Sequence, residues 1–310
     1  MANTTASAFQ AAFTFKVQKK TLVNLRNDLV WANPAWAEQG SFDHLNDQLM
    51  FLKYPDLSST TPQTPLTEGV APTARTISMT TVTVSTDQYG DLVNITDIAK
   101  VKGPQEIVSI ASERVGRTFK EVADTITRDN IFMGGTAFYQ AGDTTRAGLA
   151  TTDLLLGTDL IRLRSTMKKN NVPLPSDGFY KLILSINQTY DLMTETTTTS
   201  GFVPLSQYTS RVDNVFKGEI GTLHGFRIVE SDTAPTFTST TTVYAGLALG
   251  EIKGWGAGEL QSFQTYHVAP GGDHADVLAQ IEAVGWKVNF GCATLNNGYY
   301  YRVETAATTL

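Results

Sequence analysis

In GPQEIVSIASERVGRTFKEVADTITRDNIFMGG, residues 103–135, apolar side chains recur at three- and four-residue spacing: Val108, Ala111, Val115, Phe119, Val122, Ile126 and Met133. That is the period of a helix laid along a surface. Pro104 suits a first helical position, and Gly134-Gly135 supplies the left-handed exit that helix ends favour, so both boundaries are marked. A helix over 104–133 would span about 45 Å at ~1.5 Å per residue, longer than an ordinary globular helix. We call it the spine. Its outer face carries Glu113, Arg117 and Glu121, and Lys120, Asp124 and Arg128, at four-residue steps. Exposed pairs of this kind contribute about 0.2–0.5 kcal/mol each, so packing of the apolar stripe must hold the rod in place.

Before the spine, Thr76–Ser85 and Tyr89–Ile98 alternate in the manner of strands and read as a hairpin with each other. Its faces are rich in Thr and poor in large apolar groups, so a two-stranded ribbon of this kind cannot bury itself in a private core. Further upstream, Pro55, Pro62, Pro65 and Pro72 keep the chain extended. Val17–Trp31, with Leu22, Leu25, Leu29 and Val30, is helix-capable but short and isolated, ending at Asn33-Pro34. Residues 1–15 are small and polar around Phe9, Phe13 and Phe15, an arm expected to be flexible or to lie on a neighbour.

Beyond the spine, a second helix starts at Thr158-Asp159, turns Leu160, Leu163 and Met167 inward, and closes with Lys168-Lys169 before Pro173. Phe179–Ile186 contains the continuous run Leu182-Ile183-Leu184, which predicts a strand buried on both faces. Asn187 can cap a short helix through Leu192, and Thr194–Ser210 is a Thr-rich loop. Strands are expected at Gly225–Val229, Val243–Leu249 and Phe263–Val268, with a glycine-punctuated turn over Trp255–Phe263. Val284, Trp286, Val288, Phe290 and Cys292 then alternate strictly, and Asn296-Asn297-Gly298 turns the chain into Tyr299–Glu304. This terminal hairpin is the expected platform for the spine. No repeat of 20 to 50 residues is visible.

The chain has 310 residues, 41% of them hydrophobic and 17% charged, enough for one large or two ordinary domains with a real core. Net charge is −6 and the pI about 5.3, so no overall field draws the protein to nucleic acid or to an anionic membrane. Cys292 is the sole cysteine, which excludes an intrachain disulfide framework and a four-cysteine zinc site. No signal-peptide pattern opens the chain and no long apolar run interrupts it, so a soluble protein not exported by the general route is expected.

Chemistry is sparse. His274 in Gly272-Asp273-His274-Ala275-Asp276 is the most tempting cluster, and a metal-dependent hydrolase built on His274, Asp273 and Asp276 is the distant alternative reading. It lacks the paired-histidine spacing of a zinc helix, and Gly271-Gly272 points to an exposed loop. His224 sits in a tight turn. Cys292 lies mid-strand, where a small hydrophobe is the default. No nucleophile elbow appears, and Gly218-Glu219-Ile220-Gly221 lacks the Lys-Ser/Thr ending of a phosphate loop. No catalytic, cofactor or metal site is assigned. The residues alone describe a self-associating protein without a visible active site.

Several short motifs occur in a telling order: Thr64-Pro65-Leu66-Thr67-Glu68-Gly69-Val70, the ribbon Ile77–Val84, Gln88-Tyr89-Gly90-Asp91, Ile95-Thr96-Asp97, the spine end Thr125-Ile126-Thr127-Arg128-Asp129, Gly218-Glu219-Ile220-Gly221 and Val284-Gly285-Trp286-Lys287. In order and spacing the chain resembles tailed-bacteriophage major capsid proteins of the Hong Kong 97-type fold, in the branch typified by a short-tailed coliphage coat protein. The resemblance runs from about Leu66 to Glu304. It implies an α+β fold: an N-terminal arm over 1–50, an extended β-hairpin loop over 51–100, a peripheral domain of spine and sheet over 101–150 and 268–310, and a compact α/β axial domain over 151–267.

The resemblance further implies hexamers and pentamers in an icosahedral shell around double-stranded DNA, with no sequence-specific DNA binding and no membrane. Scaffold, portal and decoration proteins would be its partners, and the virion capsid, assembled in the host bacterial cytoplasm, its location. An encapsulin-like cellular compartment is the alternative within the same fold. Some relatives join a Lys to an Asn between subunits. Lys53, Lys100 and Lys102 lie near the loop, but no catalytic Glu is identifiable, so no covalent chemistry is assumed. The residues expected at contacts between subunits are Phe13, Phe15, Arg75, Ile77, Met79, Val82, Val84, Tyr89, Arg117 and Arg128.

Overall fold

The structure is a computed structural model that describes residues 3–4, 30–32, 38–41, 48–54, 68–70, 76–103, 107–195, 203–204, 219–251, 254–272, 276 and 278–309. Two sheets meet at the C-terminal end of one long helix.

The first sheet has five strands in the order β1 (Asn3–Thr4), β5 (Asp87–Thr96), β14 (Ile281–Thr294), β13 (Trp255–Val268) and β2 (Glu38–Ser41). β14 runs antiparallel to both β5 and β13, whereas β1 and β2 attach parallel at the two outer edges. Helix α1 (Asp97–Lys102) follows β5 directly, with the Thr96 hydroxyl accepting from the Ala99 amide at its N-terminus.

Across this sheet lies α2 (Ile107–Met133), the spine. The residues 104–106 placed at its start from sequence lie outside the described residues. Val108, Phe119, Val122 and Ile126 pack on a core that contains Val115 and the inward row Val284, Trp286, Val288, Phe290 and Cys292 of β14. Phe119 is gripped by two rings, Phe263 stacked at 4.4 Å and Trp286 edge-on at 5.4 Å.

The spine's stripe departs from expectation at its C-terminal end. Met133 is exposed, while Asp124, Thr127, Ile131 and Phe132 are buried. The last two turns carry a second inward row because the helix there runs between the first sheet and the second. Gly135, with φ +76°, turns the chain out of the helix as the glycine pair predicts.

The second sheet has the order β6 (Thr136–Tyr139), β15 (Tyr300–Thr305), β12 (Thr242–Leu249), β7 (Tyr180–Ser185), β10 (Phe226–Ser231), β9 (Glu219–Leu223) and β8 (Val203–Pro204), with β11 (Thr236–Thr238) paired to β12. Its central strands are buried on both faces. Leu182, Ile228 and Ala248 meet Leu160, Leu163 and Met167 of α3 (Gly157–Lys169). Ile183, Val229 and Leu247 join the spine core on the opposite face. This two-sided burial is why residues 182–184 form an unbroken apolar run. Helix α4 (Ile186–Thr194) is capped by Ser185 in a capping box with Gln188, not by Asn187, whose amide instead donates to the Tyr244 hydroxyl.

Two pairings and one element differ from what the sequence predicts. β4 (Thr80–Ser85) does not pair with β5; its partner is β3 (Gln48–Lys53), so the ribbon joins 48–53 to 80–85. β4 and β5 are separated by a single residue, too few to reverse the chain, so the ribbon's return strand runs on into the sheet. The terminal hairpin does not form either. β14 stays in the first sheet and β15 enters the second, with Asn297 of the intervening turn accepting from Gly135 and Thr136. Half of the expected platform, β14, does carry the spine. Finally, Trp255–Phe263 is strand, not turn. Its glycines let neighbours approach: a Cβ on Gly256 would lie 2.6 Å from the Phe51 ring.

Candidate functional site

The ribbon exposes apolar side chains that the described residues do not cover. At its root Val84 is buried, and Phe51 lies against Gly256. Farther out no layer lies beneath it among the described residues. Met50 is 59% exposed, Leu52 55%, Tyr54 61%, Ile77 71% and Met79 55%. Met50 and Leu52 stand on one face beside the exposed Thr83 and Thr81, because each residue shares a face with its directly paired partner. A two-stranded ribbon with an apolar, uncovered face is marginal alone. The strand 48–53 escaped the sequence reading; Leu49-Met50-Phe51-Leu52, just ahead of Pro55, was the signal that could have revealed it.

The arm touches the body at a built contact. Trp31 is fully buried, edge-on to Phe132 at 5.4 Å, and its indole N–H donates to the Thr233 hydroxyl at 3.0 Å. One oxygen of Asp124 accepts the backbone amides of Trp31 at 2.8 Å and Ala32 at 2.9 Å. The four-residue step from Asp124 to Arg128 predicts a solvated face. Asp124 is buried because Trp31 covers it, and Arg128 turns to Asp129 and to the Thr233 carbonyl.

Burial pushes the Asp124 carboxyl above the ordinary aspartate value, against the pull of the two amides and Arg128, with Asp232 adding to the rise. A raised value means the folded chain holds this proton more tightly than the unfolded chain does. The group's contribution to stability is therefore full in acid and is lost as pH rises through the folded value. Asp124→Asn keeps an acceptor and removes the titration. Urea unfolding of both proteins from acid to neutral pH should show the variant gaining on the wild type as pH rises. Asp124→Ala, which leaves the buried Trp31 amide without an acceptor, should cost about 1–3 kcal/mol.

Two further carboxylates are held in ion pairs. Buried Glu304 takes a two-pronged contact from Arg146 at 2.7 and 2.8 Å. Glu282 is paired with Lys100 and with His267 Nε2, the latter at 2.5 Å. Burial opposes ionisation of Glu282, yet those two partners hold its carboxyl below the ordinary glutamate value. Burial pushes the Cys292 thiol up to about 12, which suits an inert packing residue. Asp273 and His274 lie outside the described residues, and Asp276 accepts the amides of Gln280 and Ile281. His224, at φ +48°, occupies the β9–β10 turn as expected.

Among the described residues no three His, Cys, Asp or Glu groups could hold a metal ion, and no helix is long and apolar enough to cross a membrane. An open trough of about 670 Å³ is lined by Leu92, Tyr266, Trp286 and Lys287 over Gly90 and Gly285. Another of about 410 Å³ lies between spine residues Arg117, Phe119 and Lys120 and Phe263.

Of the residues expected at subunit contacts, Phe13, Phe15 and Arg75 lie outside the described residues. Ile77 and Met79 are exposed on the ribbon, Val82 is half-buried and Val84 is covered by its own chain. Tyr89 packs half-buried against the spine core. Arg117 pairs with Glu121 at 2.7 Å, the four-residue step read from sequence, and Arg128 is held as described above.

A search of curated proteins finds no match to the sequence. Solved structures do match. The capsid structure of cyanophage P-SCSP1u has 17% identity and a TM-score of 0.70, over 96% of this chain and 94% of that one. The capsid of Ralstonia phage GP4 has 15% identity and a TM-score of 0.74, over 95% and 96%. The mature capsid of bacteriophage PhiM1 has 10% identity and a TM-score of 0.65, over 95% and 92%. At these identities the likeness shows the α+β fold. The sequence itself goes further, because the model of a family described as phage capsid protein matches residues 79–302, from the ribbon through the spine and both sheets to β15. The chain belongs to the phage capsid protein family.

Proposed function

We propose that this chain is the major shell subunit of a tailed phage. It assembles into hexamers and pentamers around double-stranded DNA, with a structural rather than catalytic role, and does so in the cytoplasm of the bacterial host. The observation that carries this reading is the ribbon 48–53/80–85. Met50 and Leu52 on it, with Tyr54, Ile77 and Met79 beside its strands, are exposed among the described residues, and in this reading a second copy of the chain covers them. Burying a side chain of this size contributes roughly 1.5–3 kcal/mol, so even a few such contacts repeated at every subunit suffice to bias assembly.

An arm over 1–50, an extended loop over 51–100, a peripheral domain over 101–150 and 268–310 and an axial domain over 151–267 belong to this reading. The acidic balance of the chain, −6 overall, suits a container that encloses DNA without gripping it. Scaffold, portal and decoration proteins are the further partners it would meet.

The test is negative-stain microscopy of the purified protein, alone and coexpressed with a scaffold. Shells are expected from the wild type, and at least a tenfold lower particle yield from Met50→Asp/Leu52→Asp, with far-ultraviolet circular dichroism unchanged. Shells formed equally well by that variant would remove the ribbon from the interface, and a wild type that stays monomeric under all conditions would remove the shell reading altogether.

A further inference from the structure

The spine holds one glycine, Gly116, well inside its 27 residues. Glycine weakens a helix interior more than any residue but proline. Outside the helix's own backbone, no atom of the chain stands within 4 Å of where its Cβ would be. Packing within the chain therefore does not call for a glycine here.

Gly116 opens instead onto the hollow of about 410 Å³ between the spine and β13. On the strand side stands Phe263, between Gln261 and Gln264, where the pairing of β13 with β14 shifts register. Irregularities of this kind re-aim a side chain, and Phe263 is turned onto Phe119 of the spine, its ring stacked at 4.4 Å. Both rings are only half-buried. The hollow thus sets an apolar wall beside a missing side chain.

Its rim is cationic. Arg114, Arg117 and Lys120 line it against a single carboxylate, Glu113. Arg117 is held by Glu121. Lys120 lacks the partner that its spacing predicts, because Asp124 turns beneath Trp31, and no acid stands three or four residues from Arg114. Among the described residues neither Arg114 nor Lys120 is in an ion pair.

We propose that this hollow is a docking site for a short acidic segment of a partner protein, one that carries a large apolar side chain between carboxylates. The apolar side chain fills the space over Gly116 against Phe119 and Phe263, and the carboxylates meet Arg114 and Lys120. A hollow of this size receives a few residues, far less than the roughly 1,200 Å² that a stable contact between two folded proteins buries. That selects a linear segment over a second copy of this chain. The two rings stack on each other, with Trp286 at 5.4 and 6.4 Å, which leaves little face for a nucleobase, and the net charge of −6 opposes a phosphate chain. The site does not depend on the shell reading.

The test is fluorescence polarisation of labelled five-residue peptides with the full-length protein. The probes are Asp-Asp-Phe-Asp-Asp, its counterpart with Lys for every Asp, and its counterpart with Ala for Phe. The first should bind, and each of the others should bind at least tenfold more weakly. Gly116→Leu fills the hollow where a Cβ meets nothing. It should weaken the first peptide at least tenfold, with far-ultraviolet circular dichroism unchanged and the urea midpoint not lowered. Arg114→Glu/Lys120→Glu, at the rim, should reverse the preference between the acidic and the basic peptide.

Equal binding of the three peptides, binding of none, or undiminished binding to Gly116→Leu would overturn the site. Displacement of the acidic peptide by a ten-nucleotide thymidine strand would make it a nucleic-acid site. Self-association of the wild type that Gly116→Leu abolishes in sedimentation velocity would make it an interface between copies, and either result also overturns the proposal. A wild type that never forms shells would end the shell reading and leave these outcomes as they are.

Discussion

Tyr300→Ala should destabilise the folded chain by about 3–5 kcal/mol, as large-to-small changes at fully buried aromatic sites do. Tyr300 is completely buried at the place where the two sheets and the spine converge. Its ring stands edge-on to Trp255 at 5.5 Å, its hydroxyl donates to the Ile131 carbonyl at 3.2 Å, and Thr294 lies 2.9 Å from the same oxygen. Three glycines make room for it. A Cβ on Gly134 would lie 2.6 Å from the hydroxyl, and one on Gly135 or Gly254 would lie 2.3 or 2.2 Å from the ring. Alanine would leave a void that backbone on three sides cannot fill. Tyr300→Phe should lose only the hydroxyl's bonds, about 1 kcal/mol. Urea unfolding with tryptophan fluorescence reads both, and equal midpoints for Tyr300→Ala and wild type would show that the junction carries no stability.

Glu304→Ala should also be damaging, at about 3 kcal/mol, because it removes the fully buried partner of an ion pair whose arginine is itself only part-buried. Glu304 is fully buried, and both of its oxygens are engaged by Arg146, whose guanidinium also stacks over Phe237 at 3.7 Å. Arg302 approaches the same carboxylate at 3.4 Å. Donating to Glu304 raises the pKa of Arg146 further, but a guanidinium is protonated without help, so the cation stays charged when its partner is lost. Arg146→Met/Glu304→Leu should therefore cost less than the two single changes added together, since no uncompensated charge is left between these two positions. Additive losses in denaturant unfolding would mean that the pair is not coupled.

Much of this fold was legible in the sequence wherever one element has one face to bury. The spine, the helix with Leu160, Leu163 and Met167, and the strand through Leu182–Leu184 followed from spacing alone, because a period is a local property. Pairing was not legible, because it depends on what lies far off in the chain. Thr80–Ser85 and Asp87–Thr96 alternate like two arms of a hairpin, yet one residue between them leaves no room to turn. Asn296-Asn297-Gly298 is a sound turn whose flanking strands nonetheless enter different sheets. Asp124 was misread for a related reason. Its spacing to Arg128 is that of a solvated pair, and only the distant Trp31 makes the site a buried one. The apolar ribbon face was half visible, in Ile77 and Met79, while Met50 and Leu52 on the opposing strand were not.

The continuity of β4 with β5 determines how force would travel through such a subunit. A pull on the ribbon from a neighbour runs along a strand axis straight into β5, which is joined to β14 by ten consecutive residue pairs from Thr96–Ile281 to Asp87–Phe290. Tension applied along the strands strains that whole ladder together in shear, instead of peeling it open rung by rung. The second sheet stands outside this path and would be spared the strain.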